Sequence, residues 1–245
     1  MINGIISFDF HPRVRALVFL LTVFTVLATV PCVFGAAPPE RASGNSKPFQ
    51  TVWTFAGTDS VGGHQTQVLG DPVVVSTQEG PSVVFDGMDD GLQFDALPLA
   101  GAGQFTVEIL FRPDPDGLPE QRYFHMQEDG SDNRVMLETR LTGDGMWYLD
   151  TFMKSGDADR TLKVESAVHA VGDWYVCTLV FDGTEMRHYV NGVLEATGTL
   201  SEFSPLKAGR TSVGVRMNKV HWFKGAIRMA RFTGRVLSPD EFIFP

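Results

Sequence analysis

Cysteine is nearly absent. Two occur in 245 residues, Cys32 and Cys177. Cys32 falls in an N-terminal segment set apart below, which leaves Cys177 alone in the rest. A single thiol makes no internal disulfide. Core packing must therefore hold the fold, and about 200 residues bury enough apolar surface to do so. Positive charge is scarce as well. Twenty Lys and Arg stand against 29 Asp and Glu, for a net charge of −9. That excludes the basic surface by which proteins bind nucleic acid; beyond this, an acidic sign reports little more than solubility. Helical period is missing too. After residue 48 no 3.6-residue apolar repeat is sustained. The one helix start is Ser238-Pro239-Asp240-Glu241, a capping box with proline at the first helical position, which predicts a single turn near the C-terminus. Common catalytic motifs are lacking: there is no Gly-x-Ser-x-Gly elbow and no phosphate-cradling glycine loop. His64, His125, His169, His188 and His221 are scattered without zinc-ligand spacing.

What is present begins with a charged flank. Arg13 and Arg15 precede an apolar run over 16–30, Pro31 breaks it, and small residues follow at Gly35 and Ala36. This is the pattern of a secretory signal peptide over 1–35. The run is about 15 residues, short of the ~20 that span a bilayer, so cleavage is expected, and a membrane is met only through this segment if it is kept. Thr29-Val30-Pro31 before Cys32 is a poor lipid-attachment site. The expected location is secreted, periplasmic or on the cell surface. Residues 36–48, rich in Pro, Ala, Ser and Gly, form a linker composition. From Phe49 onward the pattern is uniform, and one domain is expected over 49–245.

That domain reads as all-β. Phe105, Val107, Ile109 and Phe111 alternate with Thr106, Glu108 and Leu110. Residues 174–181 are almost wholly apolar, as in a central strand covered on both faces. Further strands are expected at 51–55, 73–76, 83–85, 123–126, 134–140, 147–152, 186–190, 211–215 and 223–232. Glycine turns separate them, and Asn191-Gly192 supplies the two positive φ angles of a type I′ hairpin. Twelve or more strands with almost no helix leave a two-sheet sandwich or a barrel.

Three stretches narrow this. Phe85-Asp86-Gly87-Met88-Asp89-Asp90-Gly91-Leu92, then Trp174 to Gly183 continuing to Tyr189-Val190-Asn191-Gly192, then Phe223-Lys224-Gly225-Ala226-Ile227 with Arg235-Val236-Leu237-Ser238, resemble in order the motifs of laminin G-like domains of the concanavalin A-like lectin/glucanase superfamily. The resemblance implies an antiparallel jelly-roll sandwich with one flat and one concave sheet. That fold serves lectin-like domains, carbohydrate-binding modules, adhesion domains and glycoside hydrolases, so it implies no single function. Relatives carry an acidic pair after the Gly-x-Ile of the closing strand that helps hold calcium. Here those positions are Arg228 and Met229, which puts a cation at that corner in doubt. The hydrolases of the fold use a Glu-x-Asp-x-x-Glu run, and none occurs.

Mid-strand charges are the remaining candidates, because a charge inside a strand must be solvated or paired. Glu138 and Arg140 share one parity. Asp150 shares a face with Tyr148. Glu108, and Arg122 or His125, are expected nearby if consecutive strands align. A ligand-binding face of Glu108, Arg122, His125, Glu138, Arg140, Tyr148 and Asp150 is therefore expected, centred on Glu138, Arg140 and Asp150. It is weighed against an ion network that merely solvates the sheet. Trp174 and Trp222 read as core, and Trp147, just after a turn, as the tryptophan best placed for exposure. Cys177 reads as packing. No cofactor is expected. The alternative is a structural calcium in one of the acidic loops, at Asp86, Asp89 and Asp90, at Asp114 and Asp116, or at Glu128, Asp129 and Asp132, where Asp-Gly and Asp-Pro pairs more often just make turns. The leading expectation is a non-catalytic exported module that binds glycan or a cell-surface protein. The rivals are a glycoside hydrolase or lyase with dispersed carboxylates, and a structural or adhesion domain.

Overall fold

The computed structural model describes residues 49–245; the expected signal peptide and linker lie outside them. Eighteen strands follow one another: β1 Gln50–Thr54, β2 Ser60–Val61, β3 His64–Gln65, β4 Gln67–Leu69, β5 Val73–Thr77, β6 Gly80–Asp86, β7 Gly91–Phe94, β8 Phe105–Pro113 and β9 Glu120–Glu128. Then come β10 Arg134–Leu141, β11 Met146–Ser155, β12 Ala158–Lys163, β13 His169–Ala170, β14 Tyr175–Phe181, β15 Glu185–Val190, β16 Val193–Thr199, β17 Gly209–Val213 and β18 Lys224–Thr233. Among the described residues the one helical element is a 3₁₀ turn, Pro239–Glu241, where the Ser-Pro-Asp-Glu signature predicts a turn. The Glu241 carboxylate accepts from the Ser238 N–H at 3.1 Å. Among the described residues no helix is long and apolar enough to cross a membrane.

The strands form two large antiparallel sheets. The first runs β16-β15-β14-β8-β18-β6-β5, with β1 also on β18; the second runs β12-β11-β10-β9-β17-β7-β4, with β13 on β11. Between them lies one core. Phe111 of the first sheet stacks on Tyr123 of the second with ring centroids 4.3 Å apart, and Trp147 meets Phe111 edge-on at 5.3 Å. Trp53 packs against Phe94 and Phe232. Each such ring contributes about 1.5–3 kcal/mol by leaving water. Cys177 is buried in β14. Asn191 and Gly192 adopt φ of 47° and 77° between β15 and β16, the type I′ hairpin the dipeptide predicts.

Two tryptophan expectations reverse. Trp147 is fully buried, because it takes the inward parity of β11 with Leu149 and Met153. Trp174 and Trp222 fall just outside their strands, where pleat parity no longer directs them inward, and are half-buried. The Arg112 guanidinium lies 5.7 Å from the Trp174 ring centroid.

Candidate binding face

The two outer sheet faces differ. On the first sheet the C-terminal segment folds back: Leu237 and Phe242 pack with Val180 and Tyr189. Glu108 lies beneath it, fully buried, and pairs with the Arg231 guanidinium, one contact being 2.7 Å, while it accepts from the Ile243 N–H at 2.8 Å. Glu108 therefore does not join the expected face. Strand β8 pairs with β14 and β18, not with its sequence neighbour β9, so consecutive strands here belong to opposite sheets.

The outer face of the second sheet collects the other six residues. Its geometry turns on one bulge. Between β9 and β10, Leu137 pairs with Phe124 and Glu138 with Arg122, so Tyr123 is the extra residue. Tyr123 and Phe124 both turn into the core. Arg122 and His125, of opposite parity in sequence, consequently both face outward. Across the strands, Arg122 opposes Glu138 and Glu138 opposes Asp150, while Arg140 opposes Tyr148.

One end of this face is a closed ion network. Arg140 Nη2 lies 2.7 Å from Asp150 Oδ2 and 3.4 Å from Glu138 Oε2; Arg122 Nε lies 2.9 Å from Glu138 Oε2. Glu120 receives Arg122 at 3.0 Å and also pairs with Arg140. Glu138 and Asp150 are 2% and 1% exposed. Burial, with the Asp150 charge beside it, pushes Glu138 up to about 7 against the pull of Arg122 and Arg140. Burial also raises Asp150, with Arg140 opposing. Two carboxylates held this close to two guanidiniums satisfy one another first.

The other end is built differently. The chain from Gly214 to Phe223 leaves β17 and lies back over the sheet. Gly214 donates to Tyr123 O at 3.0 Å, Arg122 N–H to His221 O at 3.0 Å, and the Gln93 amide to Met217 O at 3.0 Å. The Met217 N–H donates to His125 Nδ1 at 3.0 Å. That contact makes Nδ1 the acceptor and leaves the proton on Nε2. His125 is 1% exposed, and its Nε2 has no partner among the described residues. Burial, reinforced by Arg216, Arg134 and Arg122, lowers it to about 3, so it is neutral. A cavity of about 290 Å³ opens here, lined by His125, Gln127, Asp132, Arg134, Arg216, Met217 and Asn218. Of these, the sequence marks His125 as a ligand-binding candidate and Asp132 only as part of a calcium alternative. Arg134 shares parity with Met136 and Glu138, a usable signal, whereas Arg216 sits in a loop with no period to place it.

The acidic turn after β6 has a local explanation. Asp86, Asp89 and Asp90 bring ligand atoms within 4.8 Å of one another. Asp86 Oδ1 accepts from the N–H groups of Met88 and Asp89 at 2.8 and 3.2 Å, and Asp90 from those of Asp71 and Asp86 at 2.8 and 3.0 Å. These bonds shape the turn. At the closing strand Arg228 donates to Glu79 O at 2.8 Å.

Residues 86–242 match the family model described as the concanavalin A-like lectin/glucanases superfamily. The chain belongs to that superfamily. Among solved structures, domain 4 of AbnA, a GH43 extracellular arabinanase from Geobacillus stearothermophilus in complex with arabinotriose, is similar at 19% identity and a TM-score of 0.52, over 78% of this chain and 85% of that one. The receptor binding domain of botulinum neurotoxin C/D mosaic serotype is similar at 13% identity and 0.58, over 78% of this chain and 49% of that one. A heptameric SAP-like pentraxin from Limulus polyphemus is similar at 18% identity and 0.53, over 64% and 77%. At such identities the likeness is one of fold. Among curated proteins, none matches the sequence significantly.

Proposed function

We propose that this chain is a non-catalytic glycan-binding module, exported from the cytoplasm, whose binding face is the outer face of the second sheet with the 214–223 loop above it. The observation that carries the reading is the difference between the two outer faces. The first is covered over β8, β14 and β15 by the chain's own segment after β18. The second bears a preformed cavity beside its row of paired charges, the arrangement by which a rigid surface fixes a hydroxylated ligand. Membership of a lectin and glucanase superfamily, and a similar arabinanase domain solved with arabinotriose, support a saccharide over a protein partner. The sequence of residues 1–35 supports export.

Glu138, held near neutral protonation beside Asp150, favours hydrolysis as the second reading. Against it, both carboxylates are engaged by arginines and nearly inaccessible. A glycan array followed by a reducing-sugar assay on the bound ligand separates the readings. Binding without sugar release is expected. Release would replace the proposal with hydrolysis, and silence in both would favour a structural or adhesive domain.

A further inference from the structure

Resting on the glycan reading, we propose that the cavity beneath the 214–223 loop takes the anionic group, a carboxylate or a sulfate, of an acidic sugar. The donors converging there exceed the acceptors. His125 Nε2–H and Arg134 Nε are buried without partners. Arg216 makes no ion pair or side-chain hydrogen bond among the described residues, and after burial its charge is the next cause that depresses both Arg134 and His125.

Like charges brought together around buried, unpartnered N–H groups cost stability unless an anion joins them. The one carboxylate lining the cavity, Asp132, is divided between Lys154 and Arg134 and leaves His125 and Arg216 without a carboxylate. Its Oδ2 lies 2.8 Å from Lys154 Nζ and 3.9 Å from Arg134. The Gln127 amide N–H donates to Ser131 O at 2.8 Å, so this donor is already used.

The donors are held in place. Arg134 Nη1 donates to Asp132 O at 2.6 Å, and its guanidinium lies 4.7 Å from the Phe152 ring centroid. Met217 fixes the His125 ring. A planar guanidinium pair with a neutral N–H suits a two- or three-oxygen anion. The cavity, about 290 Å³, lies at the small end of ligand sites and so matches one sugar unit rather than a chain. The protein's net charge of −9 disfavours anions in general, so uptake here would depend on these donors.

The test reads the His125 side chain directly. The full chain carrying ¹⁵N-histidine is titrated with glucuronate, with sodium sulfate and with glucose. Glucuronate, sulfate or both are expected to shift the Nε2 signal while glucose does not, and the stronger of the two identifies the anion. Arg216→Gln, which breaks no side-chain hydrogen bond or ion pair among the described residues, is expected to weaken the response roughly tenfold or more, with Arg216→Lys intermediate. Circular dichroism melting verifies that both variants fold. No shift with either anion, or an unchanged response in Arg216→Gln, overturns the inference. An array that holds a neutral glycan while His125 stays silent overturns it alone and leaves the module reading standing. An array that holds no glycan at all removes the reading and the acidic sugar together.

Discussion

The two ends of one sheet face carry similar residues and opposite consequences. At one end Arg122, Arg140, Glu120, Glu138 and Asp150 form a network in which every guanidinium has a carboxylate. At the other, His125, Arg134 and Arg216 surround a cavity and leave donors unmatched. Charge alone does not mark a binding surface. The paired cluster has met most of its partners, although Arg122 Nε, in ion-pair range of Glu138, and Asp150 Oδ1 make no hydrogen bond, whereas the other end keeps hydrogen-bonding capacity around an open cavity for something that arrives. The first end should report mainly on stability and the second on ligand.

Removing one member of the closed network is the harshest test of that division. Arg140→Met strips Asp150 of its closest cation and leaves Glu138 with Arg122 alone. Breaking a buried ionic cluster costs about 3–5 kcal/mol, and a loss near the upper end is expected in urea unfolding at pH 8. A loss under about 1 kcal/mol, with ligand affinity abolished instead, would make this end the binding centre and reverse the comparison.

The network should also declare itself through pH. Glu138 is raised to about 7 from an ordinary 4.5. Between those values the folded state holds a proton that the unfolded state has released, so stability falls as pH rises. The stabilisation is complete below about 4.5 and gone above about 7. That is about 3 kcal/mol across the window. Glu138→Gln should flatten this segment of the curve, measured as the urea midpoint against pH. An identical slope in the variant would assign the dependence to another group.

The open end depends on backbone rather than charge. Gly214 begins the covering loop with φ of 79°, and a Cβ there would strike the Phe85 ring. Gly214→Ala should cost roughly 2 kcal/mol. It should also shift the loop that carries Met217 and Arg216, so ligand affinity falls more than in a distant variant of equal stability loss. Equal affinity at equal stability loss would separate the loop from binding.

The sequence made much of this sandwich readable and left the site half hidden, for physical reasons. Alternation in 105–111 and 134–140 and the Asn191-Gly192 turn report local backbone geometry, which side-chain period and φ preference encode directly. The Tyr123 bulge does not announce itself. One extra residue inverts parity, and no glycine marks it, so Arg122 and His125 read as facing opposite ways when both face out. Glu108 reads as a neighbour of β9 because a crossover leaves no local trace: its partner Arg231 is 123 residues away. Trp147 had a usable signal in the parity of Leu149 and Met153, which outweighs its nearness to a turn. Arg216 had none, since loop residues are placed by tertiary contacts such as that of Met217 with His125.

The smallest effect is expected far from this face, in the acidic turn. If hydrogen bonding alone accounts for Asp86, Asp89 and Asp90, then millimolar calcium should leave the melting temperature unchanged, and Asp89→Asn should cost no more than about 0.5 kcal/mol. A bound ion stabilises by mass action, about 2.7 kcal/mol at a hundredfold excess over its dissociation constant, so a melting shift of several degrees that Asp89→Asn removes would be readily seen. It would show Asp89 and the free oxygen of Asp86 acting as ligands. The turn would then be a second site with unmet capacity, this time for a cation, and the closed network would be the exception among the acidic clusters of the protein.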